Sequence, residues 1–109
     1  MNDNEKRALS SMIGIAKKAG RVTLGTDMVC EALRANAKGR KIFSVFAASD
    51  VSDGTRKKLS DKCAFYETEL VFTSLTAAEL GASVGKSGAI AAIGITDEGL
   101  AAAVKKKIH

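Results

Sequence analysis

A chain of 109 residues is long enough for one hydrophobic core and too short for two, so a single domain over residues 1–109 is expected. Proline and tryptophan are absent and aromatics are few, which leaves Ala, Val, Ile and Leu to build a core of helices on a short sheet. The net charge of +5 and pI of about 9.4 favour an anionic partner, most commonly nucleic acid, over a purely solubilising role for the lysines.

Cys30 and Cys63 lie far apart with no Cys or His at ligand spacing, and the single histidine is His109. That pattern argues against zinc sites, Cys–His nucleophile pairs and a redox CxxC, so no metal or other cofactor is expected. Both cysteines read as small core residues of a reducing compartment. Residues 1–7 are polar and carry no signal-peptide pattern, and the apolar run 89–95 is too short to span a bilayer. A cytoplasmic monomer is the expectation.

Along residues 4–19, Leu9, Met12, Ile13 and Ala16 recur at i, i+3, i+4 and i+7, one face of a helix. Gly20 is a natural stop, and Lys17 and Lys18 complement the negative end of the helix dipole. Residues 21–24 alternate polar and apolar, as a short half-buried strand does. Gly25 and Thr26 then punctuate. A second helix follows with Val29, Ala32 and Leu33 inward, Thr26 as its expected N-cap and Asp27 at its positive end, closing near Lys38 and Gly39.

Residues 42–47 form a largely apolar strand, and Ala48-Ser49-Asp50 turns into a helix over residues 52–65. Leu59 and Cys63 face inward there, and Arg56-Lys57-Lys58 occupy the first half. Residues 70–73 are a strand; Thr76-Ala77-Ala78-Glu79 has the form of a capping box and opens a short helix to Val84. After the loop Gly85-Lys86-Ser87-Gly88, residues 89–95 read as the most buried strand, apolar throughout. Thr96-Asp97 caps a last helix carrying Leu100, Val104 and Ile108. This alternation predicts an α/β fold, a three-layer α/β/α sandwich with about four short strands.

Gly81-Ala82-Ser83-Val84-Gly85-Lys86-Ser87 approaches a P-loop but is one residue short, since Leu80 stands where the first glycine belongs. Its context is also inverted, with a helix before and a strand after, so nucleotide hydrolysis is rejected. Asp50, Asp53, Asp97 and Glu98 fall at helix starts, where capping explains an acidic residue. No nucleophile has a base beside it in the sequence, so no catalytic residue is assigned and no enzyme is expected.

The remaining constellation runs from Lys17-Lys18 through Arg21 to Gly25-Thr26-Asp27. Basic residues flank a strand that feeds a glycine-opened helix start, whose free N–H groups suit a phosphate or a base edge. A capped helix start with solvated lysines is the plainer alternative.

These residues carry a resemblance. Ala16-Lys17-Lys18-Ala19-Gly20-Arg21 leading to Gly25-Thr26, the strand ending in Ala47-Ala48-Ser49-Asp50, and Lys58-Leu59-Ser60-Asp61-Lys62-Cys63 are part of it. So are Glu79-Leu80-Gly81, Val84-Gly85 and Ile95-Thr96-Asp97-Glu98-Gly99. In their order and spacing the chain resembles the L-seven-Ae superfamily of kink-turn RNA binders, most closely its short bacterial YlxQ-like members. The resemblance implies an α/β/α sandwich on a mixed sheet. It also implies RNA contact by two loops: a helix start of pattern G-x-N-E-x-x-K, and a largely apolar loop before the last strand.

Here the first pattern reads Gly25-Thr26-Asp27-Met28-Val29-Cys30-Glu31, and the second loop, with Lys86 and Ser87, is polar and cationic. Ionised Asp27 only accepts hydrogen bonds where Asn both donates and accepts, Met28 cannot receive a guanine N–H, and Glu31 repels a phosphate that Lys attracts. Each lost base-edge contact costs roughly 1–3 kcal/mol, by analogy with DNA readout.

The leading expectation is therefore a ribosome-associated binder of structured, kink-turn-like RNA, with ribosomal or translation-related proteins as further partners and no membrane. Gly25, Thr26, Asp27, Met28, Glu31 and Ser87 would make local contacts, and Lys17, Lys18, Arg21, Arg34 and Lys86 would meet phosphates. The alternative is a protein-interaction module of the same fold that has lost kink-turn recognition, with Met28 in an exposed patch.

Overall fold

Helices and strands alternate along the chain: α1 (Asp3–Lys18), β1 (Val22–Leu24), α2 (Thr26–Ala35), β2 (Ser44–Ala47), α3 (Asp53–Phe65), β3 (Glu69–Phe72), α4 (Ala77–Ser83), β4 (Ala92–Ile95) and α5 (Glu98–Lys106). This computed structural model describes residues 2–35 and 41–108. The strands form one mixed sheet in the order β1-β4-β2-β3, antiparallel at β1/β4 and β4/β2 and parallel at β2/β3.

The two-residue period of β2 divides the interior into two layers. Val45 and Ala47 pack with Val29, Leu33, Leu59 and Cys63 of α2 and α3. Phe46 points to the other face, onto Leu9 and Ile13 of α1, Leu80 of α4 and Ala101 and Val104 of α5. Helices thus cover both faces, and the three-layer sandwich expected from the alternation is the observed one.

Caps fix the helix starts. Asn2 and Glu5 close a capping box on α1, Thr76 and Glu79 close the expected one on α4, and the Asp97 carboxylate accepts from the Leu100 N–H at 2.8 Å. Ser52 caps α3, accepting from the Thr55 N–H. Asp50 reaches across the fold: its Oδ1 accepts from the Ala77 N–H at 2.8 Å, so a residue after β2 caps α4.

Several boundaries differ from expectation. Thr26 is the first residue of α2 and not its cap; Gly25 holds the preceding position, its carbonyl accepting from the Val29 N–H. Turning from strand to helix in one step requires φ +90° at Gly25, a conformation that disfavours a side chain. The expected end of α2 near Lys38 and Gly39 lies outside the described residues.

β4 begins at Ala92 instead of residue 89, because Ile90 donates its N–H to the Ala77 carbonyl and packs its side chain under α4. The apolar run there serves helix packing before it serves the sheet. β2 begins at Ser44, where pairing with Glu69 of β3 starts; Ile42 is still buried as a core anchor, while Phe43 is exposed. Ile108 follows α5 and packs, partly buried, against the first layer.

Candidate functional site

The sheet has two ends of different character. One is edged by Ala92, Ala47 and Phe72, with Gly25 beyond Leu24 donating its N–H to the Ala92 carbonyl at 2.9 Å. That bond joins the start of α2 to the segment entering β4. On the same edge the Ala48 N–H donates to the Ala91 carbonyl at 2.8 Å. The start of α2 and the entry of β4, 67 residues apart in the chain, therefore meet through backbone pairing, and the loop 85–88 leads into that strand.

Above this edge, the Val29 N–H makes the first intrahelical bond of α2, to Gly25. The N–H groups of Thr26, Asp27 and Met28 precede that bond and lie at the positive end of the helix dipole. Asp27 is ion-paired with Lys58 of α3, Nζ to Oδ1 3.2 Å. Both side chains are solvent-exposed, so the pair contributes at most about 1 kcal/mol. Met28 is 61% exposed beside it.

Lys86 and Ser87 are exposed in the loop that leads to this edge, and the Lys86 N–H is anchored to the Gly81 carbonyl at 2.9 Å. Gly81 is needed there, since a β-carbon at that position would stand 2.0 Å from the Gly88 carbonyl oxygen. The loop is thereby laid against α4, and the chain runs on from it to Ala92, the partner of Gly25.

Glu31 and Arg34 are turned to each other on the outer face of α2, and this ion pair raises the guanidinium pKa through its hydrogen bond. The pair partly neutralises the acidic charge of Glu31 and engages the cation assigned to phosphate.

Lys17, Lys18 and Arg21 are elsewhere. The Arg21 carbonyl accepts from the Thr96 N–H, at the far end of β4. Four residue steps along β1 separate Arg21 from Gly25, about 13 Å at strand rise. The basic residues next to the helix start in sequence are thus not brought together with it in space.

Sequence reasoning missed Lys58 as a partner of Asp27, since 31 residues separate them and only the packing of α2 on α3 unites them. It also missed Arg56, whose guanidinium carbon lies 4.2 Å from the Phe72 ring centroid at the same sheet end. Among the described residues no cluster of His, Cys, Asp or Glu could hold a metal ion. No helix among them is long and apolar enough to cross a membrane.

This sandwich, with a glycine-opened helix start bonded to the entry of the β1-paired strand, is the architecture of a known class. The chain belongs to the Ribosomal protein L7Ae/L30e/S12e/Gadd45 family, whose model matches residues 7–105. It is 32% identical over 109 residues to a protein named RNA-binding protein YlxQ from Enterococcus faecium, covering 100% of this chain and 99% of the relative. A Bacillus subtilis (strain 168) protein of the same name is 33% identical over 90 residues, covering 83% and 84% respectively.

Among solved structures, a Bacillus halodurans C protein of unknown function superposes with TM-score 0.79 at 26% identity, over 91% of this chain and 94% of the other. A Giardia lamblia 15.5kD RNA binding protein gives TM-score 0.71 at 16% identity, over 98% and 87%, a likeness of fold alone. The family and the names of these sequence relatives agree with the expectation that the chain is not an enzyme.

Proposed function

We propose that the protein binds structured, kink-turn-like RNA, in association with the ribosome, through the start of α2 at Gly25, Thr26 and Asp27 and the loop 85–88. The observation that supports this reading is the Gly25 N–H to Ala92 carbonyl bond, which joins the start of α2 to the strand that the loop 85–88 leads into. Relatives that match 100% and 83% of the chain and are named RNA-binding proteins support it. The backbone N–H groups at the helix start would receive a phosphate or a base-edge acceptor, and Lys86 and Lys58 would supply cations.

Asp27 gives the contact its own selectivity. As an ionised acceptor it fits an amino-bearing base edge and not a carbonyl-bearing one, so the preferred RNA differs from the standard kink-turn at the base it meets. Gel shift against kinked RNAs, ribosomal RNA fragments and an unbent duplex tests the reading. Kinked or ribosomal RNA should bind more tightly than the duplex, with affinity falling as salt rises. Equal binding to the duplex, or none to any RNA, would refute it. For the ribosomal association, co-sedimentation with ribosomal particles that is lost on nuclease treatment is the expected result.

The exposure of Met28 favours one second reading, a protein-interaction module. A stable partner retained after nuclease treatment would point to it.

A further inference from the structure

The end of the sheet opposite Gly25 carries exposed rings. Phe65, the last residue of α3, is 77% exposed, and Phe43, just before β2, is 36% exposed. Ser44 pairs with Glu69 in parallel register, so Phe43 and the turn after Phe65 lie at the same sheet end. A cleft of about 150 Å³ is lined by Lys41 and Ile42, the residues before Phe43, and by Tyr66, the residue after Phe65, together with Thr68 and Leu33.

Each ring has a cation or a second ring beside it. The Lys41 Nζ stands 5.7 Å from the Phe43 centroid. Phe65 and Tyr66 pack edge to face with centroids 4.9 Å apart. Lys62 lies in the last turn of α3 and is exposed, one turn before Tyr66. The acids at this end are Glu69, held by Lys105 and Ser44, Asp61, held by Lys57, Glu31, held by Arg34, and exposed Glu67.

We propose that this surface is a second RNA contact, specific to unpaired nucleotides: bases stack on Phe65 and Phe43, and phosphates meet Lys41 and Lys62. The proposal rests on the reading of the protein as an RNA binder. Stacking platforms flanked by cations are the physical requirement for single strands, and every base offers a face to them. An apolar protein partner would instead have to desolvate Lys41 and Lys62 without pairing their charge. The surface lies away from Gly25, so it reads a single-stranded extension of an RNA whose folded part is held at the helix start.

The test uses the full chain and three RNAs: a blunt kinked RNA, the same RNA with a single-stranded tail, and the tail alone. The tail should tighten binding at least about fivefold, the low end for one stacked base. Phe65→Ala and Phe43→Ala should each reduce that gain and leave the blunt RNA unaffected, while Phe65→Trp retains it. A 2-aminopurine in the tail should be quenched on binding, and the quenching lost in Phe65→Ala, whose exposed position spares the fold.

A tail that adds nothing, or a gain that survives both alanine substitutions, overturns this proposal and leaves the helix-start reading standing. Phe65-dependent binding of the tail alone, with no binding of blunt RNA, supports this proposal and sinks the other.

Discussion

One side chain, Asp27, and one missing side chain, at Gly81, shape the candidate site at the residue scale. Gly81→Ala would push a methyl group into the Gly88 carbonyl, with backbone on both sides of the contact and no flexible atom to give way. Such overpacking costs about 3 kcal/mol or more and displaces the loop that carries Lys86. Urea unfolding of Gly81→Ala should show that loss, with weakened RNA binding under conditions where the variant is still folded.

Asp27→Asn acts oppositely: it removes a negative charge from the helix start and restores a donor. Affinity for a standard kink-turn RNA should rise about tenfold, the scale of one base-edge contact. Stability should change by less than about 1 kcal/mol, because the lost pair with Lys58 is exposed. Unchanged or weaker binding would remove Asp27 from the contact.

Cys63 is set apart by its burial, which pushes its thiol from 9.0 up to about 11. The folded value is raised, so the fold favours the neutral thiol. Its contribution to stability is full below pH 9 and is lost as pH rises towards 11. Urea midpoints taken from neutral to alkaline pH should therefore fall more steeply for the native sequence than for Cys63→Ala.

Elements are where the sequence was most and least legible. The helix periodicities placed α1, α3 and α4 within a residue or two, because their apolar stripes and capping signals are local. The strand at 89–95 misled, because an apolar run does not say whether it packs on a helix or pairs in a sheet; Ile90 does the former. Gly25 and Thr26 announced a helix start, yet the contribution of Lys58 depended on tertiary packing. The cluster from Lys17 to Arg21 looked contiguous with Gly25 because sequence proximity conceals the length of an intervening strand.

Helix α4 offers a test of long-range capping. Its first turn is held by Thr76 from within the chain and by Asp50 from across the sheet. Thr76→Ala and Asp50→Ala should each cost about 1 kcal/mol in chemical denaturation. A silent Asp50→Ala would mean that water replaces the carboxylate without loss.

At the scale of the whole molecule, the net charge of +5 is not gathered around the helix start. Lys17, Lys18 and Arg21 lie towards one end of the sheet and the Gly25 edge is at the other, with Asp27 and Asp50 interspersed there among cations. Under the proposed function, a distributed charge of this kind would draw RNA in by steering, while the hydrogen-bonding edge would select where it is held.

The central claim is that this edge holds the RNA. It is tested most directly by following backbone amide NMR signals as the kinked or ribosomal RNA that binds in gel shift is added. The largest shifts should fall on residues 25–28 and 85–91. Shifts confined to other surfaces, with these two segments unchanged at saturation, would contradict it.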